Sequence, residues 1–130
     1  MDFSEKTVKQ EYLFKGEVIN LRVDTVTTPG GNTATRELVE HPGGVCVVPL
    51  FDDGTVMMEW QYRRPFDTNT FEIPAGKLHY GEDPLECGKR ELEEETGATA
   101  QRYIDLGILD TTPALIDEKI HMFMAEGLSF

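Results

Sequence analysis

The stretch that most constrains this chain is PLECGKRELEEET, residues 84–96, bracketed by Asp83 and Gly97. Asp83 can cap a helix N-terminus, Pro84 suits the first helical position, and Glu86 stands three residues past the cap. Gly97 is placed to end the element. The spacing therefore predicts a helix over 84–96. Four glutamates crowd its second half: Glu91, Glu93, Glu94 and Glu95. Like charges one turn apart repel, and acid in a last turn opposes the helix dipole. At about 100° per residue, Glu91, Glu94 and Glu95 share one face while Glu93 turns to solvent. Leu85 and Leu92 form a core stripe, and Arg90, four residues from both Glu86 and Glu94, can bridge the two.

A solvated acidic face is the usual fate of such a helix. Cys87 and Gly88 shift the balance here. Small residues on the carboxylate face, one of them a poor helix former, suggest close approach of another segment. Carboxylates beside a closely packed loop make a hard-cation site, suited to Mg²⁺, Mn²⁺ or Ca²⁺ rather than zinc.

The surrounding sequence reads as strands. EVINLRVDTVTT and TATRELVE flank the turn signal PGGN, so residues 11–40 are expected to form an antiparallel hairpin or small sheet. HPGG at 41–44 breaks the pattern, which sets an N-terminal β-rich subdomain (1–41) apart from a second domain (42–130). VCVVPL at 45–50 reads as a buried strand, DDG at 52–54 as a hairpin turn, and 70–76 as a strand ending at Pro74. In TVMMEWQYR, 55–63, Val56, Met58, Trp60 and Tyr62 alternate with Thr55, Met57, Glu59, Gln61 and Arg63. That predicts a half-buried strand with Trp60 and Tyr62 in the core. RYIDLGILD and KIHMFMAEGL add two more strands. Strands interleaved with a helix give an α/β fold.

Bulk properties narrow the functions. A 130-residue chain can bury roughly two thirds of its unfolded surface without disulfides. Cys46 and Cys87 read as reduced core thiols, and His41, His79 and His121 show no ligand spacing. The net charge of −12 argues against nucleic-acid binding, although a bound cation would still admit a small phosphate ligand. No apolar signal core or membrane span is visible, which makes a cytoplasmic protein the default reading.

Gly76, five residues, Glu82, seven residues, Arg90-Glu91-Leu92, one residue, Glu94-Glu95, one residue and Gly97-Ala98 fill every fixed position of the Nudix box. The chain thus resembles a Nudix hydrolase. HPGGVCVVPL, QYRRP, FEIPAGK and TTPALIDEKIHMFMAEGL resemble the ADP-ribose pyrophosphatase branch, and Pro113 stands 16 residues past Gly97, a spacing associated with ADP-ribose. The resemblance implies a Nudix fold: an α/β/α sandwich with a mixed sheet, preceded by a small antiparallel β subdomain. Relatives of that branch continue past FMAEGL with an acidic loop, a strand and a helix that this sequence lacks.

The resemblance also implies roles. Glu91 and Glu95, with Glu94 and the Ala75 carbonyl, would hold the metal, Mg²⁺ or a substituting Mn²⁺. Arg90 would orient the glutamates, and Glu94 and Glu95 would take part in the chemistry. Arg63, Arg36, Glu72 and Pro113 would face substrate. Gly76 and Gly97 would permit the loop turns, with Glu82 and Leu92 as structural members of the box. Phe14, Trp60 and Tyr62 are candidates for stacking on adenine. The implied activity is hydrolysis of ADP-ribose to AMP and ribose 5-phosphate by a homodimer. The alternatives are hydrolysis of other nucleoside diphosphate sugars or dinucleotides, and a non-catalytic nucleotide-sensing module. Metal would relieve the glutamate repulsion, so helix 84–96 is expected to be less stable without it.

Overall fold

The computed structural model describes all residues 1–130, which divide into two compact units. The first comprises residues 1–42 and 110–118. Its strands β1 (Lys6–Lys15), β2 (Asn20–Thr27) and β3 (Thr33–Glu40) form one antiparallel sheet in that order. The expected turn joins β2 to β3, with Gly31 in the left-handed region at φ +86°. Residues 110–118 return against β3, where the Val39 N–H donates to Leu115 O at 2.9 Å. An ionic network ties β2 to β3. Arg22 bonds the buried Asp24 at 2.7 Å and Glu40 at 2.8 Å, so the one buried charge has its counter-ion.

The second unit comprises residues 43–109 and 119–130. It holds β4 (Gly44–Pro49), β5 (Glu59–Arg63), β6 (Thr68–Glu72), β7 (Ala75–Lys77), the helix α1 (Pro84–Thr96), β8 (Thr99–Asp110) and β9 (Lys119–Ser129). A four-stranded sheet runs in the order β7-β4-β9-β8, with β4 parallel to β9 and antiparallel to β7. The β5 and β6 strands form a separate antiparallel pair. This is the mixed α/β class expected from sequence.

Helix α1 spans the predicted residues. The Asp83 carboxylate accepts from the Glu86 N–H at 3.1 Å, and Gly97 closes the helix at φ +75°. Its apolar face lies on β4 and β9. Cys87 and Leu92 are fully buried among Val45, Val47, Ala98, Phe123 and Ala125. A Cβ on Gly88 would come within 3.0 Å of Val45 and 3.2 Å of Val47, so a hydrogen at this position lets helix and strand meet. The close approach inferred from the small residues is thus real.

The segment 55–63 differs from expectation. The strand begins only at Glu59, and its alternation is inverted. Trp60 is 70% exposed and Tyr62 49% exposed, whereas Glu59, Gln61 and Arg63 are half-buried. A period of two defines two faces without saying which one turns inward. Trp60 finds its apolar contact across the pair, on Phe71 at 5.0 Å between ring centroids, rather than in the core. No helix is long and apolar enough to cross a membrane.

Candidate active site

Helix α1, the β6–β7 bend and the inner face of the β5–β6 hairpin bring charged groups together in the second unit. Arg90 is the hub on the helix. Its Nε and Nη2 both donate to Glu82 at 3.1 Å, and its Nη1 donates to Glu91 at 2.9 Å and to Glu94 at 3.2 Å. The expected bridge to Glu86 does not form, because Glu86 takes Lys89 at 2.9 Å. Glu82 replaces it from the preceding loop, where it also accepts from the His79 N–H. The Arg90 guanidinium draws the Glu82 carboxyl down to about 2, and its own pKa is raised chiefly by Glu82.

Gly76 has a steric role, not a turning one. A Cβ there would sit 2.1 Å from the Glu91 carboxyl carbon and 2.2 Å from Oε1. Only glycine lets the Glu91 carboxylate lie against the β7 backbone. Of the two glycines expected to permit turns, Gly97 alone adopts a left-handed conformation.

Glu95 is held nearby, its carboxylate accepting from the Ala75 N–H at 3.1 Å. Burial pushes its pKa up to about 7, and repulsion from Glu59 and Glu91 adds to the effect. Glu59 sits on β5 opposite Glu72 in register. It is a carboxylate of this site that sequence reasoning placed on a solvent face. The signal was present in the shared parity of Glu59 and Arg63.

Arg63 and Glu72 meet as expected. Arg63 Nε donates to Glu72 Oε2 at 2.8 Å and Nη2 to Oε1 at 2.5 Å, a bidentate pair. Arg63 lowers the Glu72 carboxyl to about 2. Arg63 in turn feels the negative charge of Glu95 and Glu59. The other two predicted substrate contacts belong to the first unit. Arg36 is occupied by Glu5, with bonds of 2.5 and 3.1 Å. Pro113 lines a hollow of about 120 Å³ with Arg22, Leu38, Leu115 and Asp117. Leu92 lies in the core of the second unit.

The carboxylates do not form a ready-made cage of three, since Arg90 engages Glu91 and the Ala75 N–H engages Glu95. Their chemistry nevertheless fits a hard cation. Glu91 lies against the backbone cleared by Gly76, Glu95 lies one turn on, and Glu95 and Glu59 repel each other. A divalent ion would supply the charge that this cluster lacks.

Against known families, residues 40–123 match the NUDIX domain, and residues 5–39 match the nucleoside diphosphate sugar hydrolase N-terminal domain. The chain belongs to the Nudix family. It is 46% identical over 127 residues to the methanol dehydrogenase activator of Bacillus methanolicus, covering 98% of this chain and 69% of that protein. It is 46% identical to the ADP-ribose pyrophosphatase of Bacillus subtilis (strain 168), covering 96% and 68%. It is 41% identical to the ADP-ribose pyrophosphatase of Mycobacterium tuberculosis, covering 95% and 60%. A crystal structure of an ADP compounds hydrolase superposes with a TM-score of 0.87 at 20% identity, covering 99% of this chain and 71% of that one. At that identity the likeness establishes the Nudix fold. Nudix ADP-ribose pyrophosphatases depend on divalent metal, which accords with the repelled carboxylate of Glu95 on α1.

Proposed function

We propose that this Nudix chain hydrolyses the diphosphate bond of ADP-ribose. Water adds to one phosphorus, the bridging P–O bond breaks, and AMP and ribose 5-phosphate leave. The observation that carries the reading is the site itself. Glu91 lies against the backbone that Gly76 clears, Glu95 lies one turn on, and burial together with nearby repulsion raises the Glu95 carboxyl to about 7. The likeness to two ADP-ribose pyrophosphatases at 46% and 41% identity supports the choice of substrate.

Glu91 and Glu95, with Glu94 and the Ala75 carbonyl, are the residues that would hold Mg²⁺, or Mn²⁺ in its place. Bound there, the ion supplies Lewis-acid polarisation of the phosphates and a more acidic water. The chain's own groups set the geometry. Arg90 spans Glu82, Glu91 and Glu94, which keeps the helix carboxylates from splaying into solvent. The Ala75 N–H fixes the Glu95 carboxylate against β7. Arg63, held side-on by Glu72, would donate to a diphosphate oxygen, a task for which a guanidinium is suited. Arg36, paired with Glu5, and Pro113 lie in the first unit, whose exposed β1 strand would pair with a second copy of the chain in a homodimer.

The test is AMP release from ADP-ribose with Mg²⁺ and with chelator, beside Glu95→Gln. Metal-dependent release that disappears in the variant is the expected result. Tight binding of ADP-ribose without release in Mg²⁺ would replace hydrolysis with nucleotide sensing.

A further inference from the structure

The inner face of the β5–β6 hairpin carries one group that the proposed chemistry leaves idle. Thr70, on β6, is half-buried between Gln61 and Glu72. Its hydroxyl donates to Glu72 Oε2, the same oxygen that accepts Arg63 Nε, and lies 3.3 Å from the Gln61 carbonyl. Glu72 Oε1 accepts Arg63 Nη2. Three donors therefore fix the plane of one carboxylate, and that plane fixes the guanidinium.

The consequence lies in what Arg63 has left. Two of its nitrogens, Nε and Nη2, are bound to Glu72, and its side chain remains 43% exposed. Nη1 makes no bond within the chain. An arginine without this clamp spends its donors over many rotamers. This one presents a single edge in one orientation, beside the carboxylates of Glu95 and Glu59.

We infer that Thr70 is a positioning residue for substrate: through Glu72 it holds the free edge of Arg63 in the orientation that receives a diphosphate oxygen of the nucleoside diphosphate. The inference rests on the proposed hydrolysis and on Arg63 as its phosphate contact. A strand position facing inward is ordinarily served by an apolar β-branched residue, and Val would fill the same volume. The hydroxyl is what a purely structural role does not require.

The experiment compares Thr70→Val, Thr70→Ser and Arg63→Ala with the unmodified chain. The readouts are KM and kcat for ADP-ribose in Mg²⁺, the Kd for ADP-ribose in chelator, and the melting temperature. Thr70→Val is expected to raise KM and Kd about 3- to 10-fold, the range of one ordinary hydrogen bond because the effect reaches substrate only through Glu72 and Arg63, with kcat and melting temperature little changed. Thr70→Ser, which keeps the donor, is expected to restore both constants. The inference is overturned if Thr70→Val leaves KM and Kd as they were while Arg63→Ala raises them. It is also overturned if Thr70→Ser is as impaired as Thr70→Val, since shape and not the donor would then matter. If Arg63→Ala itself changes neither constant, the assignment of Arg63 to phosphate is wrong, and the role of Thr70 goes with it. Failure of the unmodified chain to bind or cleave ADP-ribose would instead overturn the proposed function.

Discussion

Helix α1 and the β5–β6 hairpin both deliver charge to one site, but they pack in opposite ways. The helix buries Cys87, Gly88 and Leu92 and leaves its carboxylates at the margin of the core. The hairpin turns Trp60, Tyr62 and Phe71 outward and keeps Glu59, Arg63, Thr70 and Glu72 half-buried. A helix wedged on a sheet must bury its apolar stripe. A two-stranded pair has no sheet neighbour to enforce that choice, so its polar face can serve the site while aromatic stacking covers part of the other. The helix is thus the stability element and the hairpin the adjustable one.

The largest effect should come from the helix carboxylates. Glu95→Gln is expected to lower the hydrolysis rate by more than about 100-fold, beyond the loss typical of groups that only support a ligand. The same variant should melt higher than the unmodified chain in chelator at neutral pH, because it removes a repelled charge. A variant that melts lower and still turns over ADP-ribose would break the assignment of this face to metal.

Packing should separate the two elements next. Leu92→Ala, at a fully buried position, is expected to cost about 2–5 kcal/mol in chemical denaturation. Gly88→Val should cost about 1–3 kcal/mol by forcing α1 off Val45 and Val47. Trp60→Thr, on the exposed hairpin face, should stay within about 1 kcal/mol. A cost for Trp60→Thr comparable with that of Leu92→Ala would mean that the outer hairpin face is covered in solution.

The pH dependence sharpens the contrast further. The Glu95 pKa rises from 4.5 to about 7 on folding. Its contribution to stability is therefore fully present below pH 4.5 and lost as pH climbs through about 7 in the metal-free chain. Glu72 runs the other way. Its pKa falls from 4.5 to about 2, so its contribution is present above pH 4.5 and lost as pH drops through 2. Thermal melts in chelator should show both slopes. Mg²⁺ should flatten the first and leave the second. Glu59→Gln should weaken the first slope by removing the nearest like charge, and an unchanged slope would place Glu59 outside the site.

The smallest effect should come from Lys89→Ala. Its bond to Glu86 is surface-exposed, and such pairs contribute little to stability. Activity is expected to be unaffected, since Arg90 engages Glu82, Glu91 and Glu94 and not Glu86.

Local rules determined a good deal. The cap at Asp83, the stop at Gly97 and the shared face of Glu91, Glu94 and Glu95 follow from backbone chemistry within one helix, and the small residues Cys87 and Gly88 announced a close neighbour. The box spacing from Gly76 to Gly97 carried the family. Other features required the fold, because they depend on residues distant in sequence. The reason for Gly76 is the space its missing Cβ leaves for Glu91, fifteen residues on, which no φ preference reveals. Glu82 displaces Glu86 as the partner of Arg90 because the loop before α1 folds back beside the helix. The face of 59–63 that turns inward was undetermined by its alternation, since period two is blind to direction. It is the packing of the hairpin that made Glu59 a neighbour of Glu95 and Thr70 a clamp on Glu72.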